Sequence, residues 1–79
     1  MNHNAKLVLI CLHGLQKGYA DQITKESELP SPSVRGALQA LWNRRLVNRS
    51  TDRYGTLYSI NELGEEVYQK LEKEAFEKQ

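Results

Sequence analysis

The stretch Ser31–Val47, SPSVRGALQALWNRRLV, decides how this chain is read. At 100° per residue, Val34, Ala37, Leu38 and Leu41 share one arc, while Pro32, Arg35, Gly36, Gln39 and Asn43 share the opposite one. The spacing therefore predicts a helix over 32–44 with one face for packing and one polar, cationic face for docking. Ser31 is expected to cap the free amides at its start. Pro32 then takes the first helical position, where its missing N–H costs nothing. Trp42 falls at the edge of the apolar arc and is expected in the core or at a subunit contact.

Downstream, Leu46–Thr51 and Thr56–Ile60 carry the β-branched and aromatic content of two strands. Asp52, Arg53, Tyr54 and Gly55 between them read as a four-residue hairpin turn, with Gly55 free to take positive φ. Two strands alone are marginal in water, so the hairpin (46–60) must lean on the helices through Val47, Tyr58 and Ile60. Asn61 is a cap for a last helix over 62–76, with Leu63, Val67, Tyr68, Leu71 and Ala75 on one side and charged residues on the other.

Upstream of Ser31, Glu28–Ser31 is a turn around Pro30, and Ala20–Ser27 a short helix anchored by Ile23. A first helix over 2–15 ends in the weak helix formers Gly14–Tyr19, a few of which can run extended. That helix is apolar nearly all round. Leu7, Ile10 and Cys11 point one way, Val8 and Leu12 lie to the side, and Leu9 lies nearly opposite Leu7. One packed face cannot cover all of these.

Seventy-nine residues make one small domain, 1–79, with no room for a second core. The longest apolar run, Leu7–Leu12, is far short of the roughly 20 residues of a membrane span, and no small-residue cleavage site follows it. A cytoplasmic chain is expected, nucleoid-associated if it binds DNA. Cys11 has no partner cysteine and reads as a reduced, buried thiol; a redox sensor would need exposure and a lowered pKa.

The net charge of +1 conceals a polarity. Up to Asn61, eight basic side chains face four acidic ones, and from Glu62 onward three basic face six acidic. A polyanion should meet the middle of the chain and avoid its tail.

Helix, helix, turn, helix, two-stranded hairpin and final helix is the order of a winged helix-turn-helix domain. The segment ADQITKESELPSPSVRGALQALWNRRLVNRS resembles the helix-turn-helix and first wing strand of small prokaryotic regulators, and YSINELGEEVYQKL resembles the second strand and final helix of the MarR and PadR-like groups. The expected class is α+β and mainly helical, with a three-helix core, a two-stranded wing and an added C-terminal helix. The resemblance implies sequence-specific binding of double-stranded DNA by a transcriptional regulator. The third helix would enter the major groove and the wing would lie at the minor groove or the phosphates.

Carried over by position, the resemblance places Ser31, Ser33, Arg35, Gln39 and Asn43 on the DNA side, on the stripe that helical spacing also picks out. Arg35 suits guanine O6 and N7, and Gln39 or Asn43 the adenine edge. Ser31 and Ser33 suit a phosphate oxygen. In the wing, Arg49 and Arg53 supply charge, with Arg53 at the tip and Tyr54 beside it against a sugar or phosphate. Arg44, Lys17 and Lys25 are within the expected reach of the backbone.

Two positions depart from the family pattern. Gly36 stands where relatives often carry a polar side chain. Arg45 stands where the helix-ending glycine is common, so either it is held in the left-handed region at an energetic cost or the helix ends by another route. The apolar surplus of the first helix, with the amphipathic last one, suggests a homodimer built from the two chain ends.

Other classes find little in the residues. His3 and His13 have no cysteine or carboxylate at metal spacing, and there is no nucleophile motif or glycine-rich phosphate loop. No enzyme, metal or cofactor is implied. A single-strand binder would show several spaced aromatics. The alternative reading is a winged helix that docks proteins, as an antirepressor or adaptor, which the low net charge and Gly36 favour.

Overall fold

The computed structural model describes residues 1–77; Lys78, part of the tail's charge, lies outside them. Four helices and three strands follow in the order α1 (His3–Leu15), β1 (Lys17–Tyr19), α2 (Ala20–Ser27), α3 (Ser31–Asn43), β2 (Val47–Asp52), β3 (Gly55–Ile60) and α4 (Glu62–Glu77). The architecture is mainly helical with a three-stranded antiparallel sheet, β1-β3-β2.

The third strand corrects the two-stranded expectation. Lys17, Gly18 and Tyr19 pair with Ser59, Tyr58 and Leu57. Gly18 is buried, and a Cβ there would lie 3.5 Å from both Gln22 and Ile23 side-chain atoms. A methyl group there would make only ordinary contacts, so the close packing on α2 does not require glycine, and β3 gains a partner on each edge. The hairpin also differs. Asp52 pairs with Gly55, so the loop holds only Arg53 and Tyr54, with Gly55 at φ 124°. Pairing extends one residue further into the expected turn because glycine accepts that backbone angle.

The core is one apolar cluster. Ala5, Val8, Leu9 and Leu12 of α1 meet Ile23 of α2, Val34, Ala37, Leu38 and Leu41 of α3, and Leu46 and Val47 at the sheet entrance. Tyr58 and Ile60 of β3 and Val67, Tyr68 and Leu71 of α4 pack against it. All four residues of the apolar arc of α3 are buried. Cys11 is half-buried rather than enclosed; burial, then the charge of Glu26, pushes its thiol pKa up.

Helix ends show where local chemistry decides. Asn2 caps α1, accepting the Ala5 amide at 2.7 Å. Asn61 accepts the Gly64 amide at 2.9 Å, as its capping role requires. The cap of α3 is not the expected one. Pro30 is the capping residue, extended at φ −59° and ψ 144°, and its carbonyl accepts the Val34 amide at 3.1 Å. Ser31 is already helical, so its hydroxyl makes no capping bond. Proline sets the extended angle that the cap position needs and moves the helix start one residue earlier.

At the other end Arg45 is held left-handed, φ 61°. Its amide donates to Trp42 O at 2.9 Å, and the Leu46 amide donates to Leu41 O at 3.0 Å, which is the Schellman pattern. Leu41 and Leu46 are both buried, and Asn61 Nδ2 donates to Arg45 O at 2.9 Å. Three hydrogen bonds and an apolar contact offset the strain of about 1 to 3 kcal/mol that a left-handed arginine carries.

The first turn of α4 departs from the expected apolar side. Leu63 is 46% exposed, and Gly64 is the buried residue, so close to β2 that a Cβ there would collide with Leu46 O. The helix crosses the chain where only hydrogen fits. This contact rotates Leu63 outward.

Candidate nucleic-acid interface

Once its apolar arc is buried, α3 must turn Ser31, Pro32, Arg35, Gly36, Gln39 and Asn43 outward, and all six are exposed. Ser33 is half-buried at the flank, and Arg44 is exposed just past the helix end. Gly36 has open space around it, with nothing within 4 Å of where a methyl group would sit. A smooth saddle therefore separates Arg35 from Gln39. Gln39 Nε2 donates to Asn43 Oδ1 at 2.9 Å, joining the two amides one turn apart. That bond leaves Gln39 Oε1 as acceptor and the Asn43 amide as donor, side by side on the outer face.

The hairpin supplies the second part. Arg49 on β2 lies 4.1 Å from the centre of the Trp42 ring, a cation–π contact that ties the strand to α3. This gives Trp42 a role that helical spacing does not reveal. At the tip, Arg53 lies 5.0 Å from the centre of the Tyr54 ring, which is 70% exposed. Asp52, at the base of the loop, accepts the Tyr54 amide at 2.7 Å and the Tyr19 hydroxyl at 2.6 Å. The Tyr19 bond first, then the amide bonds, hold the Asp52 carboxyl below its usual pKa, and the same contact raises that of Tyr19.

Among the described residues the sole ion pair is His13 with Glu65, 2.7 Å apart between α1 and α4. Arg35, Arg44, Arg49 and Arg53 therefore have no carboxylate within ion-pairing distance among the described residues. Exposed guanidinium groups left without acidic partners give the α3 and hairpin side a positive field directed at solvent. Neither Tyr19 nor Asp52 belongs to the expected site. Their link spans 33 residues and depends on strand β1, which carries no distinct hydrophobic alternation.

A second surface, between α1 and α4, exposes apolar side chains. Ile10 is 46% exposed, and with Tyr68, Leu71, Glu72 and Ala75 it lines a shallow groove of about 220 Å³ between α1 and α4. Beside it the His13 ring stacks on Tyr68 at 3.7 Å, and Gln16 Nε2 donates to Glu65 Oε1 at 3.1 Å. The described residues contain no cluster of three potential metal ligands, and no described helix is long and apolar enough to cross a membrane.

Three helices with a tight turn before α3, followed by a hairpin, define the winged helix-turn-helix fold. Solved structures that share it include transcription regulators and a winged-helix DNA-binding protein. BpsR of Bordetella bronchiseptica, whose DNA binding is regulated by 6-hydroxynicotinic acid, superposes over 98% of this chain and 56% of its own, with a TM-score of 0.89 and 19% identity. NMB1585, a MarR-family regulator of Neisseria meningitidis, superposes over 98% and 56%, with a TM-score of 0.77 and 26% identity. F93 from STIV, a winged-helix DNA-binding protein, superposes over 92% and 87%, with a TM-score of 0.81 and 12% identity. The chain spans a little over half the length of the first two. No protein-family model and no curated protein matches its sequence.

Proposed function

We propose that this chain is a sequence-specific, double-stranded DNA-binding transcriptional regulator acting in the cytoplasm. The observation that carries the reading is the outward row Arg35, Gln39 and Asn43 on α3, free of acidic partners and continued by the hairpin arginines. The fold shared with DNA-binding regulators supports it.

In this reading α3 enters the major groove. Arg35 forks onto guanine O6 and N7, while the joined Gln39–Asn43 amides offer one acceptor and one donor, matching the adenine N6–H and N7 pair. Ser31, Ser33 and Arg44 approach phosphates, and Gly36 admits the groove wall close to the helix backbone. Arg49, Arg53 and Tyr54 reach the minor groove or the adjacent backbone.

A second copy of the chain covers the apolar groove between α1 and α4, giving a two-fold dimer. Support comes from the exposed Ile10 and from a rim that carries Lys6 on α1 and Glu72 and Glu74 on α4, so a two-fold partner can pair opposite charges. The two α3 helices would then meet half-sites of one symmetric operator.

Selection of bound fragments from a random duplex pool, with the mass of the protein in solution, tests both statements. A symmetric enriched motif and a dimer mass are expected. Micromolar protein that retains no fragment at low salt contradicts DNA binding and favours a protein-docking winged helix.

A further inference from the structure

Tyr19 is held from both sides. Its backbone pairs with Leu57 in the sheet, and its amide donates to Gln22 Oε1 at 2.9 Å. From that fixed point its hydroxyl donates to Asp52 Oδ2 at 2.6 Å, while the Tyr54 amide donates to Asp52 Oδ1 at 2.7 Å. Both oxygens of the carboxylate are thus engaged by uncharged donors. The ring of Tyr19 also meets that of Tyr54 edge-on, with centroids 6.4 Å apart.

The consequence falls on Arg53. Asp52 precedes it directly in the chain, yet the two form no ion pair, and Arg53 lies over Tyr54 instead. An arginine paired with Asp52 would have to leave that partner before it could meet a phosphate, and separating the pair would oppose binding.

We infer that Tyr19 is a positioning residue for Arg53. By occupying Asp52 with a neutral donor it keeps the guanidinium available for a phosphate or a narrow groove, and it fixes the two-residue tip that presents it. This inference rests on the duplex-binding reading above. The same bond lowers the pKa of Asp52 and raises that of Tyr19.

The test uses the full chain, a random-sequence duplex pool and a series of salt concentrations. Tyr19→Phe keeps the ring and removes only the donor. Affinity is expected to fall about three- to tenfold and the salt slope by about one, as for Arg53→Ala, because one phosphate-facing cation is lost. Arg53→Ala should add little in the Tyr19→Phe background. Adding Asp52→Asn to Tyr19→Phe should restore affinity, since a neutral amide forms no ion pair with the arginine; in the parental background the same change should gain less. Without DNA, exchange of the Tyr54 amide hydrogen should quicken in Tyr19→Phe.

Parental affinity and slope in Tyr19→Phe, with Arg53→Ala impaired, would overturn the role of Tyr19 and leave duplex binding standing. A loss that Asp52→Asn does not restore would overturn it too. A parental chain that retains no duplex would overturn both readings.

Discussion

Two sides of this molecule are exposed and differ in kind. On α3 and the hairpin, the outward side chains include four arginines and two amides, and none of these arginines has an acidic partner among the described residues. On the α1–α4 side, Ile10 is 46% exposed, and the nearby Glu65 carboxylate is engaged by His13 and Gln16. The first arrangement satisfies the helix core while leaving electrostatic demand unmet. The second satisfies charge while leaving apolar demand unmet. A polyanion answers the first and an apolar, self-complementary surface the second.

The comparison can be broken most forcefully at Gly64, where α4 seats on Leu46. A methyl group has no room there, so Gly64→Ala is expected to cost about 3 kcal/mol, read by urea unfolding. A stable Gly64→Ala chain would mean that α4 is not anchored at this point. Arg35→Ala should leave stability within about 0.5 kcal/mol, as for other exposed positions, while removing about 1 to 3 kcal/mol of base discrimination in a competition assay. On the apolar side, Ile10→Glu places a charge in the proposed contact and should weaken self-association about tenfold or more in sedimentation, with duplex preference at each half-site unchanged.

Smaller effects sharpen the contrast. Gly36→Ala should raise stability by about 0.5 to 1 kcal/mol, because the helix gains an alanine where nothing obstructs it, yet weaken duplex binding if the saddle admits the groove wall. The smallest effect concerns pH. Bonds from Gln16 and then His13 hold Glu65 below its usual pKa, so its contribution is present above the unfolded pKa and is lost as pH falls through the folded one. Glu65→Gln should therefore flatten the acid side of the stability profile and leave α3 unaffected.

Much of this division was legible in the sequence. Period and polarity in Ser31–Asn43 identify both faces of α3, since burial there follows directly from helical geometry. Asn61 announces α4, and the resemblance marks Arg45, at the position of the family's helix-ending glycine, as one place for a left-handed turn. Long-range terms were less accessible. Strand β1 is three residues long, too short for alternation to speak, and it forms because β3 offers an open edge. Without it, the Tyr19–Asp52 bond has no sequence signature. Ser31 lost its capping role to Pro30 because the proline's fixed φ outweighed the hydroxyl's hydrogen bond. Leu63 left the apolar side of α4 because one close approach, at Gly64, set the rotation of that helix.

The central claim, that the two sides serve different partners, is tested most directly by backbone amide shift perturbation on titration with a random-sequence duplex at low salt. The account predicts that perturbed residues cluster at Ser31–Arg44 and Arg49–Tyr54, with α1 and α4 silent. Perturbations concentrated on Leu7, Ile10, Leu71 and Ala75, with α3 silent, would contradict it.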